Sequence, residues 1–157
     1  MVFFTRYMQM AINEAQKALQ KEAIPVGAVI VDGASQRVVA RAHNEGVEDL
    51  TALPLPLRHA EIVALTQASI SLCCPRLDGC DLYTTLEPCH MCFAAISLMR
   101  VRRVVFGAYS PQQGAISNGT NVGLNSVPSV IGGIMEDECG ELLKAFFKGK
   151  RDQHTSL

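Results

Sequence analysis

Two short segments of the sequence combine residue types that can bind a metal ion. The first contains His59 and, two residues later, Glu61. The second contains Cys89 and Cys92, and Pro88 stands directly before its first cysteine. Cysteines three residues apart lie on one face of a helical turn, so both sulfur atoms can reach one ion. A helix N-terminus also lowers the pKa of a thiol and favours the thiolate that zinc requires.

One imidazole and two thiolates make three protein ligands, which is the number typical of a catalytic zinc site, whereas a structural site usually has four. The open position of a catalytic site holds a water whose pKa falls to about 7. Glu61 follows the histidine by two residues, and we expect its carboxylate to carry protons beside that water. The two segments therefore predict a hydrolytic zinc site with the ligands His59, Cys89 and Cys92.

Two other interpretations of the cysteines remain open at this point. A Cys-x-x-Cys pair can be a redox pair, although here His90 and Met91 separate the cysteines and the chain has no tryptophan. A structural zinc site would need a fourth ligand, for which the candidates are His43, His90, Cys73, Cys74, Cys80 and Cys139. Such a site would have no use for an acid as close to its histidine as Glu61. We expect Cys139 to belong to the core and predict no role for the other three additional cysteines.

Helices and strands are predicted to alternate around these segments. The predicted helices cover residues 8–19, 59–72, 89–99 and 135–148, and the predicted strands cover 26–31, 38–40, 80–85, 103–107 and 129–133. Residues 44–58 and 108–128 are predicted loops. The first two strands form a hairpin, while strands that alternate with helices imply right-handed crossovers and parallel pairing. The order therefore predicts an α/β fold, a three-layer α/β/α sandwich with a mixed five-stranded sheet.

Composition favours one globular domain that spans residues 1–157. Of the 157 residues 48% are hydrophobic and 18% are charged, which excludes a disordered chain, and the net charge of −1 argues against a generally basic nucleic-acid coat. Six cysteines are too few for a disulfide scaffold. No apolar run approaches the roughly 20 residues of a membrane span, and the N-terminus lacks the apolar stretch of a signal peptide. We expect a soluble, cytoplasmic protein that does not contact a membrane.

The two metal-binding segments together are typical of zinc-dependent base deaminases. The chain resembles the cytidine and deoxycytidylate deaminase superfamily and, within it, the bacterial tRNA-specific adenosine deaminases. The resemblance covers roughly residues 8–151. Its motifs are residues 24–30, Asn44, residues 59–62, 86–92, 103–108 and 133–139, followed by Phe146 and Phe147.

This resemblance implies a cytidine deaminase-like fold and hydrolytic deamination of adenosine to inosine at the wobble position of tRNA. It implies one zinc ion per subunit, a homodimer and a tRNA anticodon stem-loop as partner. Glu61 would take the proton of the water, pass it to the base and protonate the departing amine. Asn44 would bind the flipped nucleotide, and it can equally be read as a turn-favouring residue at a strand end. Backbone groups around Arg58, Pro88 and Cys89 would position the base and the water.

The chain departs from the usual tRNA-enzyme pattern in two loops. Residues 55–58 read Leu-Pro-Leu-Arg instead of Asp-Pro-Thr-Ala, so Arg58 replaces a small residue beside the pocket. Residues 109–112 read Tyr-Ser-Pro-Gln instead of Arg-Asp-Ala-Lys, which removes groups expected to contact RNA, and no role is predicted for Ser110. Two alternatives therefore stay open: a deaminase of free bases or nucleosides such as guanine, cytosine or cytidine, and a non-catalytic zinc-stabilised RNA-binding module. The presence of Glu61 argues against the second.

Basic residues occur in two groups that could orient an RNA stem-loop through its phosphates. One group is Lys144, Lys148, Lys150 and Arg151, and the other is Arg100, Arg102 and Arg103. The first group is equally well explained as the solvated end of a helix, where lysines suit the helix dipole. We expect the aromatic pair at 146 and 147 to belong mainly to the core.

Overall fold

The structure is a computed structural model that describes residues 1–45, 57–119 and 126–154. Within these ranges the strands are β1 (Gly27–Asp32), β2 (Val38–His43), β3 (Cys80–Leu86), β4 (Arg103–Ala108) and β5 (Ser129–Ile131). The helices are α1 (Val2–Gln20), α2 (Ala60–Ser71), α3 (His90–Leu98) and α4 (Glu136–His154). The strands form one sheet in the order β2-β1-β3-β4-β5. β1 pairs antiparallel with β2 and β3, while β4 pairs parallel with β3 and β5.

Alternating side chains of the central strands supply two cores, one on each face of the sheet. Ile30 and Leu82 face α2 and α3, where the alanines of α2 let that helix approach closely. Val29 and Tyr83 face α1 and α4 on the opposite side. The sheet therefore lies between two helical layers, which confirms the predicted three-layer α/β/α sandwich and its mixed five-stranded sheet.

The helices at the two ends of the chain are longer than predicted. Helix α1 begins at Val2 rather than at residue 8 because its first turns also contact the sheet. The hydroxyl of Tyr7 donates a hydrogen bond to the carbonyl oxygen of Gln36 (2.7 Å), and the ring of Phe4 packs 6.4 Å from that of Tyr83. Helix α4 continues beyond residue 148 to His154. Of the predicted loops, residues 46–56 and 120–125 lie outside the described residues, and 111–119 form consecutive turns.

The topology brings the chemistry-bearing residues to one edge of the sheet. The parallel strands β3 and β4 end at the same edge, and β3 runs almost directly into α3. The N-termini of α2 and α3, which follow His59 and Cys89, both lie there. In the described part of the chain, no helix has the length and apolar character needed to cross a membrane.

Candidate active site

Helix N-termini position the three predicted metal ligands. His59 has extended backbone (φ −66°, ψ 148°) and directly precedes α2. Cys89 is likewise extended (φ −70°, ψ 170°) at the start of α3, and Cys92 lies in the first turn of that helix. The change from extended to helical backbone points each side chain back over the end of its helix, so that ligands from two helices can meet.

The structure brings His59, Cys89 and Cys92 into one cluster. The Nδ1 atom of His59 lies 3.6 Å from the sulfur of Cys89 and 3.5 Å from that of Cys92. Tetrahedral zinc with metal–ligand distances of about 2.3 Å to sulfur and 2.0–2.1 Å to nitrogen would separate these atoms by about 3.6 Å. The three donor atoms all lie within 4.8 Å of one another. The donor set therefore fits a zinc ion.

The fourth ligand of a structural zinc site is not found among the described residues. Among the His, Cys, Asp and Glu side chains of the described residues, the cluster close enough to share one ion consists of His59, Cys89 and Cys92. Cys73 and Cys74 are exposed just after α2, while Cys80 and Cys139 are buried in the sheet and in α4. The described side chains thus provide three ligands, the number typical of a catalytic site.

The two cysteines of the cluster differ in acidity. The thiol of Cys92 donates to the sulfur of Cys89, and with the help of His59 this contact lowers the pKa of Cys89 to about 3. The same contact raises the pKa of Cys92 well above its ordinary value. The pKa of His59 is also raised, chiefly because its imidazole donates to Cys89. Without metal the cluster therefore holds a thiolate at Cys89, the form in which sulfur binds zinc.

Glu61 lies directly beside this cluster. Its side chain is buried, with 3% of the residue exposed. One carboxylate oxygen accepts a hydrogen bond from the hydroxyl of Thr84 (3.2 Å), and the other lies 3.6 Å from the sulfur of Cys92. Burial raises the pKa of Glu61 above its ordinary value. A carboxyl group with a raised pKa beside a metal site is suited to accept and return a proton.

A cavity of about 510 Å³ opens above these residues. This volume lies within the range of small-molecule sites. His59, Glu61 and Cys89 contribute to its wall, together with Asn44 from the end of β2. The remaining wall is formed by Ile24, Val26, Leu86, Glu87, Leu143, Phe147 and residues 109–113. A polar, metal-binding wall opposite apolar side chains can orient a flat heteroaromatic ring.

The predicted substrate-binding residues occupy different positions. Asn44 lines the cavity, and its side-chain oxygen accepts a hydrogen bond from the backbone N–H of Ala60 (2.7 Å). The guanidinium of Arg58 pairs instead with Glu45 (2.8 Å). The carbonyl oxygen of Pro88 accepts a hydrogen bond from the N–H of Ala115 (2.9 Å). Arg58 and Pro88 are not among the residues that line the cavity, so their contribution to substrate binding stays a prediction.

Glu87 is a functional candidate that the sequence analysis missed. It is 2% exposed, and its carboxylate accepts hydrogen bonds from the N–H of Ser110 (2.8 Å) and from the N–H and hydroxyl of Ser117 (2.6 and 2.7 Å). A Cβ atom at Gly114 would collide with this carboxylate. Glu87 thus fastens the cavity-lining loop to the segment that carries Cys89. An acidic residue at the end of an apolar strand, next to a ligand motif, was the available signal.

Some of the basic residues pair within the chain, and one member of the aromatic pair differs from expectation. Arg102 forms two hydrogen bonds to the buried Asp81 (2.9 and 2.8 Å), so its charge is largely compensated within the fold. In the other basic group, Lys144 pairs with Glu141 (2.9 Å). The expectation that the aromatic pair belongs mainly to the core is wrong for Phe147, which is 47% exposed and lines the cavity. Leu142 and Leu143, one helical turn earlier in α4, are the residues that pack against the core.

Comparisons with known proteins agree with this geometry. The family model for the cytidine and deoxycytidylate deaminase zinc-binding region matches residues 2–108. The tRNA-specific adenosine deaminase of Agrobacterium fabrum is 42% identical over 94% of this chain and 95% of its own length. That of Bacillus subtilis is 41% identical over 92% of this chain and 89% of its own length.

Solved structures of two deaminases are similar to this chain. A tRNA:A34 deaminase that edits A to I at the wobble position of transfer RNA is 38% identical, with a TM-score of 0.78 over 88% of this chain and 99% of that one. A guanine deaminase from Nitrosomonas europaea is 25% identical, with a TM-score of 0.73 over 90% of this chain and 83% of that one. The chain therefore belongs to the zinc-dependent cytidine and deoxycytidylate deaminase family, and within it to the tRNA-specific adenosine deaminases.

Proposed function

We propose that this chain is a single-domain, zinc-dependent hydrolytic deaminase that converts adenosine to inosine at the wobble position of tRNA. The observation that carries the proposal is the cluster of His59, Cys89 and Cys92 with the buried carboxyl group of Glu61 beside it. Relatives of about the same length that are tRNA-specific adenosine deaminases support the substrate. Because that substrate is tRNA, we also propose a cytoplasmic location.

His59, Cys89 and Cys92 would hold one zinc ion per subunit. Nitrogen and sulfur donors about 3.5 Å apart match the ligand types and the tetrahedral geometry that zinc prefers. When bound, zinc supplies a water that is acidic enough to provide hydroxide near neutral pH. Replacement of Cys92 by alanine should remove the metal and much of the stability, because zinc binding and folding are coupled.

Glu61 would move the protons of the reaction. Its carboxylate takes one proton from the attacking water and delivers it to the ring nitrogen next to C6 of adenine, while hydroxide adds to C6. The carboxylate then takes the hydroxyl proton and passes it to the exocyclic amine, which leaves as ammonia. Adenosine and water thus give inosine and ammonia. The raised pKa that burial gives Glu61 suits both directions of transfer.

Asn44 would orient the target nucleotide. Its side-chain oxygen is bonded to the backbone N–H of Ala60, so the amide nitrogen is the atom that can donate to a substrate in the cavity. This bond also fixes the end of β2 against the start of α2, next to His59. Asn44→Asp keeps the acceptor and removes the donor, and it should raise the KM for RNA while the zinc content stays constant.

A substrate panel tests the proposed function. Zinc-loaded protein is incubated separately with an anticodon stem-loop RNA that has adenosine at the wobble position, with free adenosine, and with guanine, cytosine and cytidine. We expect inosine from the RNA at a kcat/KM far above that for any free base or nucleoside. Faster ammonia release from guanine or another small substrate would replace tRNA by a free base, the second hypothesis of the sequence analysis. No product from any substrate, at full zinc content, would leave a non-catalytic RNA-binding role.

We also propose that the enzyme is a homodimer. On the helical layer formed by α2 and α3, Ile70 is 72% exposed and Leu98 is 65% exposed. Large apolar side chains that face water on neighbouring helices are suited to bury one another in a symmetric interface. Light scattering should give twice the 17.0 kDa mass of the chain. Leu98→Lys should give the monomer mass, whereas Phe3→Lys on the opposite layer (61% exposed) should not. A wild-type monomer at micromolar concentration would refute this part.

A further inference from the structure

The ring of Tyr109 forms part of the cavity wall and packs against β4 while much of it stays exposed. Tyr109 is 47% exposed and lines the cavity. Its ring packs edge-on against Phe106, with the centroids 4.9 Å apart and the planes at 87°. The contact with a buried residue of β4 holds the ring in place while half of its surface stays open to solvent.

A glycine turn completes the support of this ring. A Cβ atom at Gly132 would collide with the ring of Phe106 and lie 2.7 Å from the hydroxyl oxygen of Tyr109. The neighbouring Gly133 has a positive φ of 81°, which L side chains rarely adopt, and its Cβ position lies 3.7 Å from Tyr109. The two glycines therefore let the backbone turn pass close to the tyrosine. A ring held in this way loses little conformational entropy when a ligand packs on it.

Tyr109 lies on a more exposed part of the cavity wall than the groups that would act on the base. Glu61 is 3% exposed and Cys92 is fully buried, whereas Tyr109 on the same wall is 47% exposed. Whatever is covalently attached to that base stays at the mouth. In an RNA strand, the attached groups are the sugar, its phosphates and the two neighbouring bases.

The chemistry of the mouth favours contact with a base rather than with a phosphate. Among the described residues that line the cavity there is neither a lysine nor an arginine. Tyr109 is followed there by Ser110, Pro111 and two glutamines. Stacking of nucleobases on aromatic side chains is a major source of affinity for single-stranded nucleic acids, and it does not require a cation.

We propose that Tyr109 is a specificity-determining residue whose ring stacks on a nucleobase next to the target adenosine. This inference rests on the proposed function, because it assumes that the target base belongs to an RNA strand. It explains how a chain whose described cavity-lining residues include no lysine or arginine can still prefer an anticodon loop over a free nucleoside.

Two variants and a matched control test the stacking. Tyr109→Ala should lower kcat/KM for the wobble-adenosine stem-loop by about 5- to 150-fold, mainly through KM, which is the range of base–aromatic stacking. Tyr109→Phe should retain most of the activity because the ring is preserved. Activity on free adenosine should fall much less than activity on the RNA in Tyr109→Ala, because a free nucleoside lacks the neighbouring base. Phe3→Ala, which removes an exposed aromatic ring from α1, should match the wild type on both substrates.

Abasic RNAs identify the stacked base. Two stem-loops are prepared in which either the 5′ or the 3′ neighbour of the target adenosine lacks its base. For one of these abasic RNAs, the kcat/KM of the wild type should fall by about the same factor as the kcat/KM of Tyr109→Ala falls on the intact RNA. Tyr109→Ala should have the same kcat/KM on that abasic RNA as on the intact RNA. Zinc content and unfolding temperature of each variant show that the site is intact.

The outcomes separate the inference from the function on which it rests. A wild type that forms no inosine from any stem-loop overturns the proposed function and the stacking together. If the wild type is active, three results overturn the stacking alone. These are an unchanged Tyr109→Ala, a Tyr109→Phe as impaired as Tyr109→Ala, and a Tyr109→Ala that loses as much on free adenosine as on RNA.

Discussion

Glutamine in place of Glu87 removes one of the acceptor atoms that hold residues 110–117 against the cavity wall. One carboxylate oxygen accepts from the N–H of Ser117 (2.6 Å), and the other accepts from the N–H of Ser110 (2.8 Å) and the hydroxyl of Ser117 (2.7 Å). A glutamine that preserves the second set must point its NH2 group at the N–H of Ser117. Two donors then face each other in a site that is 2% exposed in the wild type.

The expected loss of stability follows from this count. A hydrogen bond to a charged group contributes about 1.5–3 kcal/mol, and a buried donor left without an acceptor costs about 1–3 kcal/mol. The loss of the buried charge offsets part of this cost, because a neutral amide is easier to desolvate. We therefore expect Glu87→Gln to lower the free energy of unfolding by about 2–3 kcal/mol, or the midpoint by about 4–12 °C for a chain of this size.

Thermal unfolding of the zinc-loaded proteins, together with steady-state kinetics on the stem-loop RNA, measures both effects. Because the loop that Glu87 anchors carries cavity-lining residues, Glu87→Gln should also raise KM. Ser117→Ala is the matched control: it removes only the hydroxyl bond and leaves no buried donor unpaired, so it should cost about 1.5 kcal/mol, the lower end of the range for a bond to a charged group. A Glu87→Gln protein that unfolds at the wild-type temperature and keeps the wild-type KM would refute the anchoring role of this carboxylate.

Three further predictions concern reactivity, pH and charge. Iodoacetamide at pH 8 should label the exposed Cys73 in the folded protein but not Cys139, because burial raises the pKa of the Cys139 thiol to about 12. Peptide mapping that finds Cys139 labelled before Cys73 would contradict the burial of Cys139. Burial also raises the pKa of Tyr83 from 10 to about 12. As the pH rises, the unfolded state therefore loses this proton first, and the free energy of unfolding should fall between pH 10 and 12. In urea titrations at several pH values this fall should be shallower for Tyr83→Phe, and an equal fall in both proteins would contradict the raised pKa of Tyr83. Arg102→Ala removes the main partner of the buried Asp81 and should lower the free energy of unfolding by about 2 kcal/mol, a value reduced to allow for the partial exposure of the arginine. A free energy of unfolding equal to that of the wild type would show that this ion pair does not stabilise the fold.

The two cysteines of the metal cluster could be predicted from local geometry, whereas His59, 30 residues before Cys89, was predicted from its residue type and motif. The spacing of Cys89 and Cys92 fixes both sulfur atoms on one helical turn, and the chain order around His59 puts a second helix N-terminus at the same sheet edge. The three-layer fold was equally accessible, since β-branched strands alternate with apolar helices. Residues close together in the sequence specify the cysteine pair, the helices and the strands.

Contacts between distant segments decided the features that sequence did not reveal. The pairing of the Arg58 guanidinium with Glu45 was not predicted. The basic character of Arg102 is compensated by Asp81, which lies 21 positions earlier in the chain. The buried position of Glu87 depends on N–H groups 23 and 30 residues later. No periodicity or spacing reports such pairings.

Inosine formation at the wobble position, measured with wild type and Glu61→Ala at equal zinc content, tests whether the buried carboxyl group beside the metal cluster drives the deamination. The RNA is an anticodon stem-loop that is digested to nucleosides after the reaction, so that inosine and adenosine are counted by mass. We expect inosine from the wild type, one ammonia per inosine, and no inosine above background from Glu61→Ala with its zinc retained. Undiminished inosine formation by the zinc-loaded Glu61→Ala protein, or none by the zinc-loaded wild type, would contradict this expectation.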